Sequence, residues 1–140
     1  MVDVANVMGA RADGWWRDRA GAALRLCREV LALAARGAGL PGLPGLPGAR
    51  TAAAWVLVLE GRARAAAERL ADSDTAAGTA APVRVVSAPA SGDDAIVGVV
   101  AEVIASGENC VVVTADRELR RRCEALGAAV AGPGWLLRLL

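Results

Sequence analysis

Histidine, lysine, glutamine, phenylalanine and tyrosine are all absent from the 140-residue chain. Without histidine, the sequence excludes Cys/His zinc sites and any mechanism in which a histidine acts as a base or activates a nucleophile. Three cysteines (Cys27, Cys110 and Cys123) form an odd set with no CxxC motif, so no disulfide framework is expected. The longest uncharged stretches, such as residues 125–137, are shorter than the roughly 18 apolar residues of a membrane span and are broken by Gly and Pro. We therefore expect no membrane partner.

Neither positive nor negative charge is in large excess. Sixteen positive residues, all arginine, and fifteen acids give a net charge of +1, which indicates no general surface for nucleic acid or anionic lipid. Each arginine can still bind phosphate with two parallel hydrogen bonds. With 55% apolar residues, the chain has the size and balance of one compact domain, over residues 1–140. Asp3 and Arg11 stand where a secretory signal would be apolar, so a cytoplasmic location is expected.

Apolar runs of strand length alternate with stretches of helical periodicity. The predicted strands are a short one ending at Asp3 and those over 54–60, 83–87, 110–114 and 128–131; the predicted helices cover 16–35, 61–71, 91–106 and 116–126. Strands without polar alternation, separated by helices, are typical of a parallel sheet covered on both faces. We predict a three-layer α/β/α, doubly wound, Rossmann-like fold with a mainly parallel sheet of four to five strands. A GLP triplet repeated three times predicts a flexible surface loop over 37–50, and residues 72–82 resemble a linker.

Acidic residues lie at or just after the end of each of the first four predicted strands. Asp3 ends the first and Glu60 the second, the pair Asp93 and Asp94 follows the third, and Asp116 with Glu118 follows the fourth. The carboxyl ends of parallel strands meet at one edge of the sheet, where ligands bind in a crevice. Taken singly, several of these acids could instead be helix caps or first-turn acids. Taken together, they repel one another unless cations neutralise them, and oxygen-only ligation selects Mg²⁺ or Mn²⁺. Such a site suits phosphoryl chemistry.

Three short motifs contain most of these acids. They are DVAN at residues 3–6, SGDDAIV at residues 91–97 and VVTADREL at residues 112–119. The set resembles the NYN branch of the PIN-like nuclease superfamily, which is related to flap endonucleases. In that family the first strand ends in a D-G-x-N type motif, a mid-chain helix begins with an acid in an A/G-D-D-x-I context, and a later strand ends T/S-x-D. The resemblance spans nearly the whole chain, with the GLP loop as an insertion.

The resemblance implies a PIN-like fold and a ribonuclease that needs Mg²⁺ or Mn²⁺. Carried over to this sequence, it makes Asp3, Asp93 and Asp116 the catalytic metal ligands, with Asp94 and Glu118 as auxiliary metal-binding acids. The supporting residues it implies are Asn6, which holds the first ligand or the phosphate, and Thr114, which braces the loop. Glu60 matches the family pattern less well, and we place it as a supporting acid next to the metal ligands.

Candidate substrate-binding residues flank these acids. They are Arg62, Arg117, Arg120, Arg121 and Trp16. Positions 117, 120 and 121 share one helix face, so they could contact phosphates of a single-stranded RNA, although a solvated face is the plain alternative. The Trp16 ring could stack on an unpaired base, or it could pack over the domain with its neighbour Trp15.

Two other functions are compatible with the same residues. One is a metal-dependent hydrolase of small phosphate substrates, of the nucleoside triphosphate pyrophosphohydrolase type. The other is a catalytically silent RNA-binding module, suggested by Val4, which stands where the family usually has Gly, and by the shortness of the first strand. Oligomeric state is not indicated by the sequence.

Overall fold

The fold is known from a computed structural model, which describes residues 1–37, 40–43, 54–71 and 82–140. Its sheet has five strands: β1 (Val2–Asp3), β2 (Trp55–Leu59), β3 (Val83–Ser87), β4 (Val111–Val113) and β5 (Ala129–Ala131). All neighbouring pairs are parallel, and the spatial order is β3-β2-β1-β4-β5. The parallel sheet of the predicted doubly wound fold is therefore confirmed.

Helices follow each strand. They are α1 (Val4–Gly9), α2 (Arg19–Ala35), a 3-10 turn η1 (Gly61–Arg64), α3 (Ala65–Ala71), α4 (Gly92–Ala105), α5 (Arg117–Ala125) and α6 (Pro133–Leu137). Among these described helices, none has both the length and the apolar character that crossing a membrane requires.

The apolar core lies on both faces of the sheet, as expected for strands without polar alternation. Along β2, Trp55, Leu57 and Leu59 pack on the side that holds α2, whereas Val58 packs with residues of α4 and α5 on the other. This alternation follows from the two-residue period of a strand. The three layers are therefore helices, sheet and helices, and the strand ends are left to carry polar groups.

The three cysteines belong to these two cores. All are buried, Cys27 on the α2 side and Cys110 and Cys123 on the other. Burial raises the pKa of Cys27 to about 12 and that of Cys123 to about 11. The thiols are therefore protonated at neutral pH and serve as small apolar core residues.

Two helix starts differ from those predicted by periodicity. The short helix α1 was not predicted; it begins directly after Asp3, whose side chain caps it. The helix predicted from residue 16 begins at Arg19, because the Asp18 carboxylate accepts a hydrogen bond from the Gly21 amide and so defines the helix N-terminus. Trp15 and its neighbours form a turn before it.

The GLP loop predicted over 37–50 and the linker predicted over 72–82 lie largely outside the described residues. Of the loop, Leu40 is buried in the core. The adjacent Pro41 carbonyl accepts a hydrogen bond from Nε1 of Trp135 at 3.2 Å, which ties this part of the loop to α6.

Candidate functional site

The order of the strands creates a crevice at one edge of the sheet. The chain winds outward from β1 in both directions, so the helices that follow β1 and β4 lie on opposite faces, and the gap between these strand ends is where doubly wound folds bind ligands. Asp3 is the last residue of β1, and Thr114 directly follows β4. Residues from distant parts of the sequence are thus brought to this edge.

Asp3 is a buried acid with a defined set of partners. It is 8% exposed. Its Oδ1 accepts a hydrogen bond from the Asn6 amide at 3.1 Å, and its Oδ2 accepts one from the Thr114 hydroxyl at 2.9 Å. Burial raises the pKa of Asp3; these two hydrogen bonds oppose the rise, and the negative charges of Asp93 and Glu60 add to it. The pattern in the sequence did not reveal the capping role of Asp3.

Two further hydrogen bonds hold the loop after β4, one from α1 and one within the loop. The Asn6 side-chain oxygen accepts from the Ala115 amide at 2.7 Å, and the Thr114 hydroxyl oxygen accepts from the Asp116 amide at 3.1 Å. Asn6 and Thr114, both predicted as supporting residues, therefore hold the β4–α5 loop against the end of β1.

Asp116 caps α5, one of the two alternatives that the sequence left open. Its Oδ1 accepts hydrogen bonds from the amides of Glu118 and Leu119, each at 2.8 Å. Its charge also reaches the crevice, because it raises the pKa of Asp93. Asp116 can cap α5 and also belong to the acidic group, because both cap bonds use Oδ1 and Oδ2 takes no part in the cap.

Asp93 is the acid to which the others are electrically coupled. It lies in the first turn of α4 and is half-buried. Its pKa is raised by burial first, then by the charges of Asp116 and Glu60, and it is lowered by Arg122. Because Asp93 in turn raises the pKa of Asp3, the acids at the ends of β1, β2 and β4 and at the start of α4 form one electrostatic group.

Glu60 is held beside Asp93 by a backbone contact. It directly follows β2, and its Oε2 accepts a hydrogen bond from the amide of Gly92, the first residue of α4, at 2.8 Å. The sequence suggested only a supporting acid here. The contact between Glu60 and Gly92 was not predicted, because nothing in the sequence indicates that these residues, 32 positions apart, are in contact.

The two predicted auxiliary acids are paired with arginines. Asp94 Oδ1 lies 2.7 Å from a terminal nitrogen of Arg122, and Glu118 Oε2 lies 2.8 Å from one of Arg121. Both carboxylates are largely exposed. The amide of Asp94 donates a hydrogen bond to the Ser91 hydroxyl at 3.3 Å, so Ser91 caps α4. Of the two, Asp94 alone contributes to the raised pKa of Asp93.

The predicted substrate-binding residues are all at least partly exposed. Arg117 and Arg121 are exposed on α5, Arg120 is half-buried, and Arg62 is exposed on η1. Trp16 is 58% exposed, and its ring meets that of Trp15 edge to face, with centroids 6.1 Å apart.

As the side chains stand, no three Asp, Glu or Cys residues within the described ranges are arranged so that they could jointly hold a metal ion. Comparison with known proteins adds no assignment: no family matches the chain, and neither a curated protein nor a solved structure matches it. What the molecule itself presents is a doubly wound α/β domain with a group of mutually repelling carboxylates at the ends of its parallel strands.

Proposed function

We propose that the protein is a ribonuclease that depends on Mg²⁺ or Mn²⁺ and hydrolyses phosphodiester bonds of RNA at this acidic edge. One observation carries the proposal. Asp3 and Asp93 are 90 positions apart in the sequence, and the pKa of each is raised first by burial and further by neighbouring carboxylates. Mutual repulsion of this kind is unfavourable in the free protein, and a bound cation relieves it.

The donor set fits a hard divalent cation. Asp3, Asp93 and Asp116 are the residues that would hold it, and all offer carboxylate oxygens, which Mg²⁺ and Mn²⁺ prefer. Asp3 ends β1, Asp93 lies in the first turn of α4 and Asp116 caps α5, and joint ligation would require their side chains to turn from the positions they hold here. When bound, such an ion supplies activation of water and neutralises charge on the phosphate.

The remaining polar residues have roles in orienting that site. The Thr114 hydroxyl and the Asn6 amide each direct one oxygen of Asp3. The Asn6 side chain holds the loop that carries Asp116. Preorganisation of this kind reduces the rearrangement that is needed when a phosphate enters.

The position where the chain departs from the family motif is compatible with this proposal. Val4 is fully buried as the first residue of α1, and no non-glycine residue among those described has a positive φ. A valine therefore fits beside Asp3 without backbone strain, which removes one of the reasons for the silent-module alternative.

The test is cleavage of single-stranded RNA by the purified protein with Mn²⁺, run beside the same assay with nucleoside triphosphates. We expect RNA cleavage by the wild type and its loss in Asp93→Asn and Asp116→Asn. Glu102→Gln is the matched control, because Glu102 is an exposed acid of the same helix, nine positions or about 13 Å along α4 from Asp93.

Three outcomes would reject the proposal. Unchanged cleavage in both Asp variants would show that the acidic edge is not the active site. Hydrolysis of triphosphates without RNA cleavage would favour the small-substrate hydrolase. A wild type that takes up no Mn²⁺ by calorimetry and cleaves neither substrate would favour a silent RNA-binding module.

A further inference from the structure

We propose that Glu60 is a positioning residue, which sets the N-terminus of α4, and therefore Asp93, relative to the end of β2. The role in the reaction rests on the function proposed above. The geometric part rests on the contact between Glu60 and Gly92 alone.

Glu60 extends from a rigid part of the fold. It directly follows β2, which is paired with β3 along its whole length and with the central strand β1. Its carboxylate oxygen lies 2.8 Å from the amide nitrogen of Gly92. The first amides of a helix have no partner within the helix, so an acceptor from a neighbouring strand fixes where the helix begins.

The start of α4 already has a local cap. Ser91 accepts from the amide of Asp94, which satisfies the usual need for a capping side chain. Glu60 therefore provides a second anchor, and this one comes from another element of the fold. Asp93 lies directly between the two anchored amides, of Gly92 and Asp94, so its backbone is held on both sides.

Gly92 is matched to this carboxylate. A Cβ atom at position 92 would lie 2.6 Å from Oε2 and 3.0 Å from Cδ of Glu60, so the Glu60 carboxylate would have to move away from the Gly92 amide to make room. Gly92 is not among the residues with a positive φ, so its backbone does not require glycine. The absence of a side chain at position 92 leaves the room that the Glu60 carboxylate occupies.

The helix dipole favours a carboxylate at the N-terminus of α4, but here the negative charge also has a cost. The charge of Glu60 adds to the repulsion felt by both Asp3 and Asp93. A neutral acceptor would make the same hydrogen bond without this effect. A glutamine at position 60 therefore tests the hydrogen bond to Gly92 separately from the charge.

Four variants separate positioning from a direct role: Glu60→Ala, Glu60→Gln, Gly92→Ala and the double variant of Glu60→Ala with Gly92→Ala. We expect Glu60→Ala and Gly92→Ala each to lower kcat/KM for RNA and the affinity for Mn²⁺ by about 10- to 100-fold. Glu60→Gln keeps an oxygen acceptor for the Gly92 amide and recovers most of the loss. The double variant is no worse than Glu60→Ala, because the two changes disrupt the same contact.

Two results would overturn the positioning role. If Glu60→Gln is as defective as Glu60→Ala, the charge acts directly on the metal or the substrate. If the losses in the double variant add, Gly92 and Glu60 act independently. Thermal unfolding of each variant shows whether a loss of activity comes from loss of folding.

Amide hydrogen exchange at Gly92 keeps this test distinct from that of the proposed function. Protection should fall in Glu60→Ala and persist in Glu60→Gln, whether or not the protein cleaves RNA. If the wild type neither cleaves RNA nor binds Mn²⁺, the proposed nuclease function is rejected, and with it any role of Glu60 in that reaction. Unchanged protection in Glu60→Ala rejects the anchoring of α4.

Discussion

The Thr114 hydroxyl donates a hydrogen bond to Oδ2 of Asp3, joining residues that are 111 positions apart in the sequence. Thr114 is fully buried, and its oxygen also accepts from the Asp116 amide. A hydroxyl has one proton to donate, and the carboxylate of Asp3 receives it, since the amide of Asp116 is itself a donor. The Thr114 side chain thereby orients both Asp3, at the end of β1, and the loop after β4.

Removing this hydroxyl tests its contribution. Thr114→Val has nearly the same shape but leaves Oδ2 of Asp3 buried without its donor, so we expect a loss of about 1–3 kcal/mol in the free energy of unfolding. Because this hydrogen bond lowers the pKa of Asp3, the same variant should raise that pKa, as followed by an NMR titration of the carboxyl carbon. Thr114→Ser, which keeps the hydroxyl, is the control and should leave the pKa of Asp3 near its wild-type value. Equal titration of all three proteins would contradict the assigned role.

The position of these acids at one sheet edge could be predicted from the sequence, whereas their contacts could not. Apolar runs without polar alternation indicate parallel strands, and parallel strands present their carboxyl ends together, so Asp3, Asp93 and Asp116 were expected near one another. The contact of Glu60 with Gly92 depends on how α4 packs against the end of β2. No local pattern in the sequence contains that information.

Helix ends show the same limit. The apolar residues after Asp3 fit a short helix as well as a strand, because a six-residue segment is too short for its periodicity to distinguish the two. The pairing of Asp94 with Arg122 likewise follows from the packing of α4 beside α5, and so it appears only in the folded chain.

Asp116 allows capping and charge to be separated. Asn is as good an N-cap as Asp, so Asp116→Asn should keep both cap bonds of α5 and change the free energy of unfolding by less than about 0.5 kcal/mol. Asp116→Ala removes the cap and should cost about 1 kcal/mol. Both variants should abolish Mn²⁺-dependent cleavage. Urea unfolding together with the RNA assay checks this, and activity in Asp116→Asn but not in Asp116→Ala would show that Asp116 acts only as a cap.

Asp93→Asn should stabilise the metal-free protein at neutral pH. Burial, and then the charges of Asp116 and Glu60, raise the folded pKa of Asp93 above the ordinary value of 3.8. As the pH rises past 3.8 the unfolded chain loses this proton first, so the folded state loses stability until its own raised pKa is passed. Asn cannot ionise and avoids that loss. We expect a gain of up to about 1 kcal/mol at pH 7, since the side chain is only half-buried and partly screened by solvent.

The pH dependence provides the control for Asp93→Asn. The difference from the wild type should disappear near pH 3, about one unit below the ordinary pKa of aspartate, where the acid is mostly protonated in both states. Adding Mn²⁺ at pH 7 should stabilise the wild type and leave the variant unchanged. A variant that is less stable than the wild type at neutral pH without metal would show that the negative charge at position 93 is favourable, and the argument for a cation would lose its basis.

Trp16 tests the proposed path of the RNA. Its ring is exposed while its edge-to-face neighbour Trp15 packs against the core, and the Arg19 guanidinium lies 5.4 Å from the Trp15 ring centre. Trp15 also lies beside Gly9, where a Cβ would be 3.9 Å from its ring, so the pair lies next to the end of α1. That six-residue helix begins directly after Asp3 and is about 9 Å long, so a strand of a few nucleotides could reach from the exposed ring to the acids.

Replacing Trp16 with Ala should therefore weaken binding of a short single-stranded RNA by about 1–3 kcal/mol, the contribution of one stacked base. Trp16→Phe keeps an aromatic face and should retain most of the affinity. Because the ring is largely exposed, neither variant should greatly change the melting temperature, so a loss of binding cannot be attributed to unfolding. Fluorescence anisotropy in Ca²⁺, which avoids cleavage, measures the affinity. Identical affinities for the wild type and Trp16→Ala would place the RNA elsewhere, on the arginine face of α5.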